Sequence, residues 1–288
     1  MNSPRDLRRR IKSISGTAQI TKAMQMVAAS KMRKAQQAAL AARPFARLLY
    51  RIQRSATKRA YQFAHPLLEV RDVRRTAVIV IAGDKGLCGA LNTNVFRLAA
   101  QFDPQSTVYI AAGRKAAQWV ARSRRHLAAE FAYGDSPAFA EARAIAAFAR
   151  DLFLKGEVDR VQIVATRFVN TLTQVPVSID YLPVGAIQSL HLPGLDGADV
   201  AGDDVEDALF EPDAASVLKY LLGHYLNIYI HLVLLNAKAS EQSARMVSMK
   251  NATDSARNLI DALKLQYNTL RQGNITQELL EIAGGQAG

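Results

Sequence analysis

The stretch GDKGLCGALNTN (83–94) follows a strongly apolar, strand-like run, RRTAVIVIAGD (74–84), and precedes a helical pattern. A phosphate-binding glycine loop of an α/β protein sits at such a place, because backbone N–H groups and the helix N-terminus together hold an anion. Its glycines, Gly83, Gly86 and Gly89, are three apart, which fits neither G-x-G-x-x-G nor G-x-x-x-x-G-K-[ST]. The leading reading is a structural strand-to-helix turn with close backbone packing, with cofactor binding as the alternative. Cys88 could act as a nucleophile only beside a histidine and an orienting acid, and neither lies in the local sequence. His224 and His231 are seven apart, whereas metal-ligand pairs on a helix usually sit at i, i+4, so both read as packing or solvated positions. Asp203, Asp204, Glu206, Asp207, Glu211 and Asp213 form an acidic patch that suits the start of a following helix rather than an acid/base pair. No catalytic residue, cofactor or metal is expected from these residues.

Charge gives a stronger signal. The net charge is +12 over 288 residues, yet residues 1–60 hold 15 Lys and Arg against the single acid Asp6, while the remainder holds 22 basic and 24 acidic residues. The excess is confined to an N-terminal arm, which implies an acidic partner: nucleic acid, anionic lipid or an acidic protein surface. A basic coiled-coil nucleic-acid binder and a stand-alone α/β nucleotide-binding enzyme both remain open at this point. One cysteine excludes an intramolecular disulfide and a cysteine-rich zinc site, and fits a reducing compartment. No signal peptide is visible, and the longest apolar stretch, LLGHYLNIYIHLVLL (221–235), reads as too short to span a membrane.

The elements that must carry these residues divide by proline. Residues 5–43 have none, and Asn2-Ser3-Pro4 reads as a helix start with Ser3 as N-cap; Pro44 is expected to kink or interrupt that helix before FARLLYRIQRSA. After Pro212 a helix reaching about Ala283 would be on the order of 100 Å long, which needs a second long helix beside it. Leu218, Leu222, Tyr225, Tyr229 and Leu232 follow the 4-3 spacing of a coiled-coil seam, continued by Asn236, Ala239, Ser243 and Met246, with Ile260, Leu263, Tyr267 and Leu270 further on. Lys250, Arg257, Lys264 and Arg271 repeat every seven residues on another face. In the N-terminal helix the apolar residues Leu7, Ile11, Ile14, Ile20, Met24, Val27, Ala28, Met32 and Ala35 suggest a seam broken between Ile14 and Ile20. The fold class is therefore α/β. A long antiparallel two-helix coiled coil is formed by the N- and C-terminal segments (1–62 and 205–288), and a central Rossmann-like domain (72–200) carries a partly parallel sheet. Strands are expected at 74–84, 107–113, 158–169 and 175–183, helices at 114–122 and 136–154, and a loop at 186–204.

ITKAMQMVAASKMRKAQ (20–36), GDKGLCGALNTN (83–94), ASEQSARMVSMKNATDSA (239–256) and YNTLRQGNITQELLEIAGG (267–285) closely resemble, in order, the gamma subunit of F-type ATP synthases. The family's central motif usually reads Ser/Thr-Asp-Lys/Arg-Gly-Leu-Cys-Gly-Gly, from which Gly83 and Ala90 depart. The cysteine-bearing insertion of chloroplast versions is lacking, and a bacterial source is expected.

The resemblance implies a non-catalytic rotor. Its paired helices turn inside the hexameric ring of alpha and beta subunits, and its α/β domain sits beside the epsilon subunit and the c-subunit membrane ring, at the cytoplasmic face of the plasma membrane. It carries neither nucleic acid nor a membrane-inserted segment. By resemblance, Met24 meets the acidic lever loops of the catalytic subunits, Arg271, Gln272 and Thr276 touch the ring, Arg245 bears on coupling, and Glu211 lies near the membrane ring, where a family aromatic is replaced by Ala208. Lys22, Lys31, Arg33 and Lys34 are expected on the surface facing the acidic ring.

Overall fold

The computed structural model describes residues 3–59, 64–184, 211 and 213–285. The loop expected at 186–204, the acidic residues 203–207 and Ala208 lie outside them. Close packing separates two compact units, Met1–Ala28 with Arg245–Gly288, and Ala29–Ala244.

Helix α1 runs from Pro4 to Arg59. Ser3 opens it: the Asp6 N–H donates to Ser3 Oγ (3.2 Å) and the Ser3 hydroxyl donates to Asp6 Oδ2 (2.8 Å), with Pro4 at the first helical position. The helix continues through Pro44, which corrects the expected interruption. One missing N–H is a local loss, and Ala42 and Leu49 on either side are held by the same core.

In the first unit, α1 and the final part of helix α5 (Ala214–Gly285) run antiparallel: Arg8 pairs with Tyr267 through a hydrogen bond and its guanidinium over the ring, and Thr21 Oγ1 meets Thr253 Oγ1 at 2.7 Å. The inward positions of α1 here are Leu7, Ile11, Ile14, Ala18, Thr21, Gln25 and Ala28, an unbroken 4-3 repeat. Ile20 and Val27, expected in the seam, are exposed at 63% and 54%. Helical period rather than side-chain polarity decides which residue faces inward, and the buried Thr21 hydroxyl is tolerated because Thr253 satisfies it. On α5 the inward residues are Met249, Thr253, Ala256, Ile260, Leu263 and Tyr267, while Lys250, Arg257, Lys264 and Arg271 face solvent. That outer face agrees with the sequence pattern. Inward positions step by three at Ser243–Met246 and again at Met246–Met249, which shifts the frame and turns the lysine and arginine repeat outward. Leu270 is 39% exposed and leaves the seam.

The second unit is built on a five-stranded sheet of order β3-β2-β1-β4-β5, with β1 (Thr76–Ile81), β2 (Thr107–Ala112), β3 (His126–Phe131) and β4 (Arg160–Phe168) parallel and β5 (Gln174–Leu182) antiparallel at one edge. Strand β3 was not expected from its sequence, HLAAEF, whose burial is only partial. Helices α2 (Leu91–Ala99) and α3 (Arg114–Arg122) cover one face through Val95, Ala116 and Val120. The other face packs on α4 (Phe139–Leu154), on α5 through Leu222–Leu234, and on Leu49 of α1. Each large aliphatic side chain buried there contributes about 1.5–3 kcal/mol.

By length and composition α5 does contain a window capable of crossing a membrane, which the 221–235 stretch taken alone did not suggest; 56% of that window is buried inside the protein. It is the core helix of the sheet: Tyr181 of β5 donates its hydroxyl to the Leu226 carbonyl, and Tyr225 and Tyr229 pack beside it.

Candidate functional site

At the carboxyl end of β1 the chain turns through Gly83–Ala90 into α2. In an open α/β sheet this is the ligand crevice, next to the point where strand order reverses between β1 and β4. Here the protein's own side chains fill it. A Cβ on Gly83 would lie 2.6–2.8 Å from the Glu241 carboxylate of α5, so glycine at this position makes room for that carboxylate. The Gly83 N–H donates to Asn92 Oδ1 (3.3 Å) and its carbonyl accepts from the Lys115 N–H. Asp84 Oδ1 accepts from the Arg114 N–H at 2.8 Å, placing a carboxylate on the N-terminus of α3, where an anionic ligand would otherwise be attracted. Gly89 has φ +59 and is joined in the left-handed region by Leu87 at +62. A Cβ on Gly86 would meet nothing within 4 Å. The most demanding glycine is one that sequence reasoning did not single out: Gly113 has φ +94, and a Cβ there would lie 2.0 Å from the Ala82 carbonyl oxygen. Cys88 is buried, with the Asn92 amide near its sulfur at 3.6 Å.

Around this turn lies a group of charges that was also missed. Lys238 and Glu241, both 2% exposed, form an ion pair of 3.0 Å one helical turn apart on α5. Lys238 Nζ is also 3.6 Å from Asp135 and stands 4.8 Å from the centroid of the Tyr133 ring. Asp135 accepts a hydrogen bond from Lys31 of α1. Tyr133 donates its hydroxyl to the Ala82 carbonyl at 3.0 Å. Burial holds the Tyr133 phenol well above its ordinary value, reinforced by the nearby charges of Glu241, Asp84 and Glu141. Asp135 is held below the usual carboxylate range, first by the hydrogen bond from Lys31; burial opposes this, and the charge of Lys238 adds to it. The available sequence signals were only the i, i+3 spacing of Lys238 and Glu241 within an otherwise small and polar run, and the glycine opposite them.

The residues expected on outward surfaces separate. In the first unit Lys22 is exposed, with its ammonium donating to Gln25 Oε1 at 3.3 Å, and Met24 is half-buried. Arg271, Gln272 and Thr276 are exposed on one stretch of α5, Thr276 donating its hydroxyl to the Gln272 carbonyl at 2.9 Å. Arg245 is buried at 7% exposure. In the second unit Arg33 and Lys34 are exposed and Glu211 is exposed before α5. Lys31 differs from them, because its charge is engaged by Asp135. His231 is half-buried, its side chain held toward the neutral form by burial, and its ring packs edge-on to Phe139. Among the described residues no group of three or more His, Cys, Asp or Glu is arranged to hold a metal ion.

The mostly parallel sheet thus has its crevice occupied by carboxylates of the protein's own chain, and the two long helices carry charge on their outer faces. Comparison with known proteins gives the family. A family model described as ATP synthase matches residues 3–288. The ATP synthase gamma chain of Opitutus terrae is 46% identical over 291 residues, covering 99% of this chain and 98% of the relative. The chain belongs to the ATP synthase gamma chain family. Among solved structures it is similar to a chain of the Tetrahymena thermophila mitochondrial ATP synthase central stalk and c-ring (25% identity, TM-score 0.60, 81% of this chain and 99% of that one). It also shares its fold with a chain of the Euglena gracilis mitochondrial ATP synthase OSCP/F1/c-ring assembly (21% identity, TM-score 0.68, 99% and 93%).

Proposed function

We propose that this chain is the central-stalk rotor of an F-type ATP synthase, a non-catalytic subunit that couples proton-driven rotation of a membrane ring to conformational cycling of the catalytic nucleotide sites on other subunits, and so to ATP synthesis or hydrolysis. Its partners in this reading are the hexameric ring of alpha and beta subunits, the epsilon subunit and the ring of c subunits, at the cytoplasmic face of a bacterial plasma membrane. The three sequence segments are assigned accordingly: residues 1–62 and 205–288 as the paired helices and 72–200 as the domain nearer the membrane.

The observation that carries the reading is the full-length match to gamma chains. The filled crevice at Gly83 supports the non-catalytic part: Glu241 and Asp84 present negative charge where a nucleotide phosphate would have to sit. The paired-helix surface supports the rotor part. An element that turns among equivalent sites must not favour one orientation strongly, since a contact biases only the states it discriminates. Solvent-exposed cations such as Lys22, Arg33, Lys34, Lys250, Arg257, Lys264 and Arg271 attract an acidic sleeve through screened, orientation-tolerant forces, unlike a buried ion pair. Met24, Arg245, Arg271, Gln272 and Thr276 are assigned to contact with the catalytic ring and to coupling, and Glu211 to the membrane-ring end.

Purification of the tagged chain from its native membranes tests this. Recovery of an ATPase with three-fold repeated subunits and of a membrane ring is the expected result. Recovery of the chain alone, or stoichiometric nucleotide binding by the isolated chain in calorimetry, would overturn it.

A further inference from the structure

We infer that Lys238, Glu241, Asp135 and Lys31 form a joint that fixes the rotational phase and axial register of α5 against the sheet, and that the coupling assigned above depends on it. The inference rests on the rotor reading for its functional half. Four charges from three separate segments converge: Lys31 from α1, Asp135 from the loop after β3, and Lys238 with Glu241 from α5. The turn after β1 closes on the same point, because Gly83 leaves room for the Glu241 carboxylate. The large apolar side chains of α5 end about one turn earlier, at Leu232–Leu235, and at the cluster itself the helix surface is small. Ala237, Ala239, Ser240 and Ser243 are buried on α5, and Ala35 on α1, so large interlocking side chains are scarce there. Small side chains let helices approach closely, but they also lower the barrier to sliding and turning, since few knobs must leave their holes.

Buried ion pairs are not an efficient source of stability, because an apolar pair of similar size is often as good or better. The contacts that cross from α5 to other elements do discriminate between positions: a turn of α5 by one residue would withdraw Lys238 from Asp135 and Glu241 from the space at Gly83, while the Lys238–Glu241 pair, both on α5, would move with the helix into surroundings not shaped for it. The best-attested use of such groups is to set register. These four are positioning residues in that sense.

The test separates register from stability. The double variant Lys238→Met with Glu241→Met removes both buried charges together and should fold, with a Tm equal to or above that of the parent chain. Nitroxide labels on Tyr220→Cys of α5 and Leu172→Cys beside β5 report the register by their distance distribution; both positions are highly exposed, and the native Cys88 is buried. The parent should give one narrow distribution and the double variant a broader or shifted one. In the reconstituted complex, ions pumped per ATP hydrolysed should fall at least about two-fold in the double variant while subunit assembly is kept. Asp135→Asn, at the half-exposed corner of the cluster, should fold in any case and lose a smaller part of both readouts. An unchanged distance distribution in both variants would overturn the joint, and a broadened distribution with unchanged pumping would overturn its role in coupling. Failure of the parent complex to pump at all would count against the rotor reading, while the label distances would still decide the register.

Discussion

Helix α5 has two different surroundings. From Leu232 to Ser243 almost every residue is buried, charged ones included; beyond Met249, among the described side chains, only Thr253 and Leu263 are buried and Ala252, Ala256, Ile260 and Tyr267 half-buried, and the lysines and arginines face solvent. The same backbone geometry is thus used first as the core of a sheet domain and then as one half of a thin pair. The contrast shows where specificity resides. In the sheet unit it comes from large apolar contacts and a closed set of charges, and in the helix pair from a strict 3.5-residue period that mixes large apolar residues with Ala, Thr and Gln.

Matched substitutions should break or sharpen that contrast. The largest effect is expected at Glu241. Glu241→Ala leaves Lys238 buried with its nearest counter-charge removed and should lower stability by about 3–5 kcal/mol, whereas Asp254→Ala, in the exposed pair with Arg257, should change it by no more than about 1 kcal/mol. Denaturant unfolding of the full chain measures both. Next is Leu263→Ala, at 6% exposure, which should cost about 2–5 kcal/mol, against a change within about 0.5 kcal/mol for Leu265→Ala at 71% exposure. Equal effects would show that the frame assigned to the pair is wrong.

Gly83 gives a chemically sharper test. Gly83→Ala should destabilise the chain by about 1–3 kcal/mol, because its methyl displaces the Glu241 carboxylate. Gly83→Ser should recover part of this, because a hydroxyl can donate to the displaced carboxylate. Thermal unfolding of the two variants side by side decides it. The smallest effect concerns pH. Asp135 has a folded pKa below its unfolded value, so its contribution is fully present above the ordinary carboxylate range, about pH 4, and is lost as pH falls through the folded value. Asp135→Asn should therefore flatten the acid limb of the stability profile and leave neutral pH and above little changed in slope.

Much of this was legible in the sequence. The two long helices, four of the five strands and the outward repeat from Lys250 to Arg271 follow from proline placement, apolar runs and a seven-residue charge period. Strand β3 was not legible, because HLAAEF at a sheet edge has neither the continuous apolar run of a buried strand nor clean alternation. The inward face of α1 is not legible from apolar residues alone, because Thr21 and Gln25 occupy it while Ile20 and Val27 face solvent. The charge cluster was invisible for another reason: Lys31 and Asp135 are 104 residues apart, and only folding brings them together.

Synthesis gives the two helices different histories. At about 5–20 residues per second, α1 leaves the ribosome on the order of ten seconds before α5 begins to appear. During that interval its future interface offers little for another chain to stick to, since much of it is alanine, threonine and glutamine. The membrane-length apolar window of α5 emerges only after all five strands of its receiving sheet have been made. The greasiest helix is therefore the last to be exposed to solvent and the first to find a finished surface, which shortens the time in which a targeting factor or a neighbouring nascent chain could capture it.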